Sequence, residues 1–210
     1  MSEAKTEILN RIRGALHDAP TPAPAQRTYR RVSERAAEEV VEMLVDRLVD
    51  YKAAVHHETP ATLPGRIAEL LGASARYVVP EGLDRAWLPE ESGMRRVIVD
   101  PNDARAASAL GVRELNAVVT SSTVACAETG TIFLTGRPDE GRRAISLVPD
   151  HHICVVPLDS VVELIPEALA LVEPTAPVTM ISGPSATSDI ELERVEGVHG
   201  PRRLDVILLG

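Results

Sequence analysis

The chain has 210 residues, enough for one domain with an appended arm, and its formal net charge is −9. It holds three Tyr, one Trp and one Phe, so aliphatic side chains must build the core. Because the negative charge repels phosphate backbones and few rings are available to stack on bases, the composition excludes a typical nucleic-acid-binding protein.

The composition also indicates the compartment and bears on redox cofactors. No apolar run approaches the ~18 residues of a membrane span, and the first residues are charged, so we expect a cytoplasmic protein without a membrane span. The two cysteines, Cys126 and Cys154, lie in apolar strand-like runs, where free buried thiols are expected. Two thiols cannot by themselves hold an iron–sulfur cluster, which usually takes four.

The first segment predicts a helical arm over residues 3–17. Its apolar residues recur on one helical face: Ile8, Leu9, Ile12 and Leu16. Prolines at positions 20, 22 and 24 then form an extended linker that a helix cannot continue through. Because this stripe is too small to keep a helix stable alone, the arm docks either on its own domain or on a partner chain or second subunit. We therefore divide the chain into an arm with linker, residues 1–28, and an α/β domain, residues 29–210.

The body alternates between predicted helices and strands. Ser33 can cap a helix that runs to about Ala53. Later helices are predicted at 60–72 and from Asp100-Pro101 to about Gly111. A further helix is predicted to end at about Val172, and it begins either with a Ser160/Glu163 capping box or at Pro166. The predicted strands are 53–57, 76–79, 96–99, 116–120, 123–127, 130–135, 152–156, 178–181 and 203–209.

Continuous Val and Ile runs separated by helices are typical of a parallel sheet buried on both faces. We therefore predict an α/β fold, an open and mostly parallel sheet with helices on both faces, plus the N-terminal helical arm. One antiparallel excursion is expected around residues 118–135.

A loop rich in small hydroxyl residues follows the strand at 178–181. In open α/β sheets ligands bind beyond the carboxyl ends of strands, and such a loop can offer backbone N–H groups and hydroxyls to an anion. A plain turn followed by a capped helix is the alternative. The candidate ligand-binding residues of this loop are Ser182, Gly183, Ser185, Thr187 and Asp189.

Glu128 stands in a second candidate segment, a tight turn between two short apolar strands. A carboxylate there is costly unless it is paired. It acts either as a general base, nucleophile or ligand clamp, or as a structural carboxylate that accepts hydrogen bonds from backbone N–H groups or an arginine. Thr129 and Gly130 of the same turn are candidate ligand-binding residues.

His199 lies between Gly197 and Gly200, where the backbone can approach a ligand closely. It is the second candidate catalytic residue, with a surface loop histidine as the alternative. A triad of His199 and Asp189 with Ser182 or Ser185 is disfavoured, because no Gly-x-Ser-x-Gly elbow is present.

We expect neither a metal nor a cofactor. Asp150, His151 and His152 are consecutive, and neighbouring residues on a strand point to opposite faces, so they cannot form one metal site. The pair His56 and His57 is subject to the same restriction. A bound dinucleotide is disfavoured because no Gly-x-Gly-x-x-Gly motif appears.

Taken together, several segments resemble the LUD-domain family over about residues 30–210. They are Glu128-Thr-Gly-Thr-Ile132, Arg143-x-x-Ser-Leu-Val-Pro149, His152-Ile-Cys-Val-Val156, Ser182-Gly-Pro-Ser-x-Thr-Ser-Asp-Ile-Glu191 and Gly197-x-His-Gly-Pro201. The resemblance implies a three-layer α/β fold like that of sugar-phosphate isomerases and CoA transferases.

The resemblance also implies a role in the oxidation of L-lactate to pyruvate beside iron–sulfur partner proteins. With two cysteines, this chain is interpreted as a component without a redox centre, and whether it is itself catalytic stays open. The alternative is a stand-alone enzyme or binding protein for a small anionic metabolite, such as a sugar phosphate or an acyl-CoA. A scaffold with a vestigial pocket is a third interpretation.

Overall fold

The computed structural model describes residues 3–17, 24–73, 75–91, 94–101, 115–184, 186–187, 195–196 and 200–210. Among these residues, no helix is both long enough and apolar enough to cross a membrane. The predicted helix beginning at Asp100-Pro101 falls mainly on residues 102–114, which lie outside the described ranges.

The main sheet has six strands, all parallel: in spatial order β1 (Ala54–Glu58), β12 (Arg203–Leu209), β7 (His151–Pro157), β4 (Ala117–Thr120), β2 (Arg76–Pro80) and β3 (Arg96–Asp100). Its four central strands are mostly buried, as expected for Val- and Ile-rich runs covered on both faces.

A second sheet of four strands, in the order β8-β5-β6-β9, contains the predicted antiparallel excursion. β6 pairs antiparallel with both β5 and β9, while β5 and β8 are parallel. Its strands are β5 (Val124–Cys126), β6 (Thr131–Leu134), β8 (Val161–Val162) and β9 (Thr179–Ile181). A short antiparallel pair joins β10 (Ala186–Thr187) to β11 (Val195–Glu196).

The helices cover both faces of the main sheet, which confirms the predicted α/β class. One face packs against α3 (Leu63–Leu71) through Leu63, Ile67 and Leu71. The other packs against α2 (Ala37–Asp50) and the second sheet in one continuous core, with Leu44 and Leu48 fully buried. The remaining helices of the body are α4 (Arg143–Leu147) and α5 (Ile165–Ala170), and two 3₁₀ turns span Arg85–Trp87 and Leu158–Ser160.

The N-terminal arm forms the predicted helix, α1 (Glu3–Ala15), but buries none of its residues. Its apolar stripe lies in solvent, with Ile8 58% and Ile12 49% exposed. Within the described residues, the arm is therefore not docked on its own domain.

The structure corrects two predicted helix starts. α2 begins with Ala36 at the N-cap rather than Ser33. The Ser33 hydroxyl donates to the Glu163 carboxylate and accepts from the backbone N–H of Arg35 at 3.1 Å. The capping box predicted at Ser160 and Glu163 is not formed, since Val161 and Val162 belong to strand β8 rather than to a first helical turn. The Ser160 hydroxyl donates to the Pro157 carbonyl at 2.7 Å. α5 begins instead beside Pro166, the alternative start.

Candidate functional site

The Glu128 turn and the Ser182 loop lie side by side. Antiparallel pairing of β6 with β9 sets Ile132 opposite Ile181, so the residues that flank this pair meet at one end of the second sheet. Thr131 Oγ1 lies 2.8 Å from Ser182 Oγ, and the Thr129 hydroxyl donates to Thr131 Oγ1 at 2.9 Å. A chain of hydroxyls therefore joins these two predicted segments.

Two glycines allow helix α2 to pack against both turns. Gly183 has φ +84°, and a Cβ there would lie 2.7 Å from both the Cβ and the carbonyl oxygen of Tyr51. Gly130 has φ +58°, and a Cβ there would lie 2.8 Å from the Cβ of Arg47. Both positions need a residue without a side chain, for conformation and for space.

Glu128 itself is paired with an arginine. Its carboxylate accepts a hydrogen bond from Arg30, and the side chain is 44% exposed. This hydrogen bond raises the pKa of the Arg30 guanidinium. A hydrogen bond from an arginine is the contact expected of a structural carboxylate. The catalytic role of Glu128 stays a prediction.

A cavity of about 300 Å³ brings the Ser182 loop together with the segment that precedes β12. The lining residues include Ser182, Gly183, Gly200 and Pro201, whereas Glu128, Thr129 and Gly130 are not among them. The full lining is Arg143, Ser146, Leu147, His152, Thr179, Met180, Ile181, Ser182, Gly183, Pro184, Gly200, Pro201 and Leu204.

The side chains of four predicted site residues are not among those that the structure describes. Ser185, Asp189 and His199 lie outside the described residues, and Thr187 is described only as a backbone position paired with Val195. Their roles stay predictions, although Pro184 and Gly200 on either side of this stretch both line the cavity.

Arg143 and His152 line the cavity, and neither was predicted as a site residue. The motif Arg143-x-x-Ser146 could have indicated a site residue. Residues three apart lie on the same face of a helix, and both of these line the cavity. No helix was predicted at 143–147, so this signal was missed.

His152 is buried, with 1% of its surface exposed, and its Nε2 lies 2.8 Å from Thr120 Oγ1. Burial, and secondarily the neighbouring His151, lower the pKa of His152 to about 3. The ring is therefore neutral at physiological pH and can take part in hydrogen bonds without adding charge. Burial likewise raises the pKa of the nearby Cys154 thiol to about 12.

His151, the next residue along the strand, points to the opposite face of the sheet, as the alternation of strand side chains predicts. There it meets Asp205, which is fully buried and also bonds His56 and Arg203. Burial alone would raise the pKa of Asp205, but hydrogen bonds from His151, His56 and Arg203 lower it well below its ordinary value. In the described part of the chain, no three His, Cys, Asp or Glu side chains are grouped as a metal ion requires.

A second cavity, of about 320 Å³, adjoins the first. The two share Arg143, Ser146 and Thr179 as lining residues. Arg142 lines only the second cavity, and its Nε donates to both carboxylate oxygens of Asp100 at 2.8–3.0 Å. Arg143 therefore lies where the two cavities meet, whereas Arg142 lies in the second cavity alone.

Residues 96–209 match the LUD domain family, and the chain belongs to this family. The matched range covers β3 to β12, and hence every residue that lines the first cavity. The resemblance noted in the sequence is confirmed.

Two proteins of similar sequence share one name. The chain is 48% identical to "Lactate utilization protein C" of Deinococcus radiodurans over 164 residues, 76% of this chain and 74% of the relative. It is 30% identical to the protein of the same name from Geobacillus kaustophilus over 168 residues, 68% of this chain and 69% of the relative. These relatives support a role in lactate utilization.

A crystal structure of a DUF162 family protein from Deinococcus radiodurans has the same fold. It superposes with a TM-score of 0.69 at 41% identity, covering 84% of this chain and 99% of that chain.

Proposed function

We propose that the chain is a component, without a redox centre of its own, of a system in which iron–sulfur proteins oxidise L-lactate to pyruvate. The observation that carries the proposal is the 48% identity over 164 residues to a protein named for lactate utilization. The role of this chain beside the iron–sulfur proteins is to complete the assembly and to hold a ligand or product in the cavity.

The two thiols support the assignment of redox chemistry to partner proteins. Cys126 and Cys154 are fully buried and belong to different core clusters, on the second sheet and on the main sheet. The Cys126 thiol donates to the Glu163 carbonyl at 3.2 Å. Two separated, buried thiols do not fit the four-ligand set of an iron–sulfur cluster.

The arm is the proposed contact with those partners. Ile8, Leu9, Ile12 and Leu16 present an apolar stripe to solvent, and a short isolated helix is marginal in water. Burying this stripe on an iron–sulfur partner would stabilise the helix. Under this proposal residues 1–28 act as a docking arm and residues 29–210 as the body that carries the site.

We assign Glu128 and His199 polar or acid–base roles and the loop from Ser182 to Asp189 anion contacts within the assembly. The hydroxyl chain from Thr129 through Thr131 to Ser182 supports a connection between the Glu128 turn and the cavity.

The test is a reconstituted assay of L-lactate oxidation with an artificial electron acceptor. The chain is purified with and without its iron–sulfur partners. Activity should need all components, the Glu128→Gln chain should assemble but give less activity, and deletion of residues 1–28 should weaken assembly. Glu42→Gln, a change at an exposed position of α2, is the matched control.

Full activity of the partners without this chain would refute the proposal. Unchanged activity of the Glu128→Gln assembly would leave a structural role for Glu128. Turnover by the isolated chain would favour the second candidate function, a stand-alone enzyme for a small anionic metabolite. The observation that favours that candidate is the cavity itself, which places a guanidinium and hydroxyls beside the Ser182 loop.

A further inference from the structure

The charge of the first cavity comes from Arg143. Among the described lining residues it is the one cationic side chain, and no Asp or Glu lines the cavity with it. Within the described residues, Arg143 has no ion-pair partner, unlike Arg142, which is paired with Asp100. On the described lining, a ligand with a single negative charge therefore balances Arg143.

His152 offers a hydrogen bond without a second positive charge. Its Nε2 is engaged with Thr120 Oγ1 at 2.8 Å, and the other acceptor near that hydroxyl, Cys154 Sγ, is 3.9 Å away. In the tautomer that accepts the Thr120 hydroxyl proton on Nε2, the ring proton is on Nδ1. A neutral N–H group can donate a hydrogen bond to one carboxylate oxygen. It adds no positive charge to balance the second negative charge of a phosphate dianion.

The other side of the cavity is apolar. Leu147 comes from α4, Met180 and Ile181 from β9, and Leu204 from β12. The cavity volume of about 300 Å³ equals the volume that roughly ten water molecules occupy in the liquid. This is more than a three-carbon acid fills. The apolar residues can therefore cover an aliphatic chain attached to the anion.

We propose that this cavity binds an aliphatic monocarboxylate, with its carboxylate on Arg143 and its chain against Leu147, Met180, Ile181 and Leu204. His152 Nδ1–H and the Ser182 hydroxyl donate to the remaining carboxylate oxygen positions. The inference goes beyond the proposed function, because it concerns direct binding by the isolated chain.

Isothermal titration of the full chain with acetate, propanoate, butanoate, pentanoate and hexanoate tests the proposal. Affinity should rise about fourfold with each added methylene until the cavity is full. Inorganic phosphate should not bind measurably. Arg143→Gln should weaken hexanoate binding by about 10- to 100-fold, because a charged hydrogen bond is lost.

Arg96→Gln is the matched control, since Arg96 is exposed on β3 at the far edge of the main sheet. It should leave hexanoate affinity unchanged, and both variants should keep the circular dichroism spectrum of the native chain. Absence of binding by every acid, an affinity independent of chain length, phosphate binding as tight as that of hexanoate, or an unaffected Arg143→Gln variant would each overturn the inference. Partner-dependent lactate oxidation is measured separately, so either proposal can fail alone.

Discussion

Nε2 of His151 lies 2.7 Å from Oδ2 of Asp205, and Nε2 of His56 lies 2.8 Å from Oδ1 of the same carboxylate. Asp205 is on β12, which lies between β1 and β7 in the sheet. One buried carboxylate thus links three parallel strands through side chains, in addition to the backbone ladder.

Replacing Asp205 with Asn should destabilise the fold by about 1–3 kcal/mol at neutral pH, because the buried amide cannot accept from all three donors. Urea denaturation at pH 7 measures the loss. The pKa of Asp205 is lowered in the folded chain, so the stabilisation is complete above the unfolded value of about 3.9 and is lost as the pH falls through the folded value.

The difference between native chain and variant should therefore shrink below about pH 4. A difference that grew below pH 4 would contradict this assignment. Asp50→Asn, at the exposed end of α2, is the control.

Gly183→Ala and Gly65→Ala should change stability in opposite directions. The first forces an alanine into φ +84° and sets its Cβ 2.7 Å from the Tyr51 carbonyl oxygen, which should cost at least about 2 kcal/mol. Gly65 lies within α3 with nothing within 4 Å of an added Cβ, so alanine should stabilise by about 1 kcal/mol. Thermal unfolding of both variants checks the pair, and equal melting temperatures would refute the packing argument for Gly183.

Glu163→Gln should free the segment around Arg30. The buried Glu163 carboxylate accepts from Ser33 and from Arg35 and Arg30, at 3.1 and 3.3 Å for the arginines. The hydrogen bond from Ser33 is the main cause that lowers the pKa of Glu163, although burial opposes it. Trypsin should cut after Arg30 about tenfold faster in the variant, because charged hydrogen bonds are lost.

Mass spectrometry of the early tryptic fragments measures this rate. Glu42→Gln serves as the control, and the backbone N–H of Ser33 keeps its bond to Glu167 in both chains. Cleavage at the native rate would show that Glu163 does not hold this segment.

Hexanoate affinity should not change between about pH 5.5 and pH 8, because His152 does not titrate in the range where an ordinary histidine does. With a pKa of about 3, the ring stays neutral there. Titration calorimetry at several pH values measures this. Tighter binding as the pH falls through about 6.5 would mean that a histidine in the site becomes charged.

Much of the fold was predictable because its signals are local. The Val-rich runs of β2, β4, β7 and β12 are buried on both faces and were found within one or two residues of their ends. The start of α2 was missed, since Ser33 is of a type that caps helices but lies ahead of the helix, in a segment bonded to Glu163, 130 residues away. Distant pairing of this kind leaves no trace in a local pattern.

The candidate site was predictable only in part, for the same reason. The loop at Ser182 and Gly183 carries its own composition signal and does line the cavity. Arg143 and His152 become neighbours of that loop only through the packing of α4, β7 and β9 around the cavity. The alternation rule separated His151 from His152 correctly but could not say which neighbour each would meet.

The pairing of β1 with β12 has a consequence for how the protein is made. His56 and Asp205 are 149 positions apart, and β12 is the neighbour of β1 in the described sheet. When β7 has just been synthesised, β1 therefore still lacks its neighbouring strand in this sheet. Closing so long a loop is costly, so β1 gains its backbone pairing in this sheet only after residues 203–209 have been made.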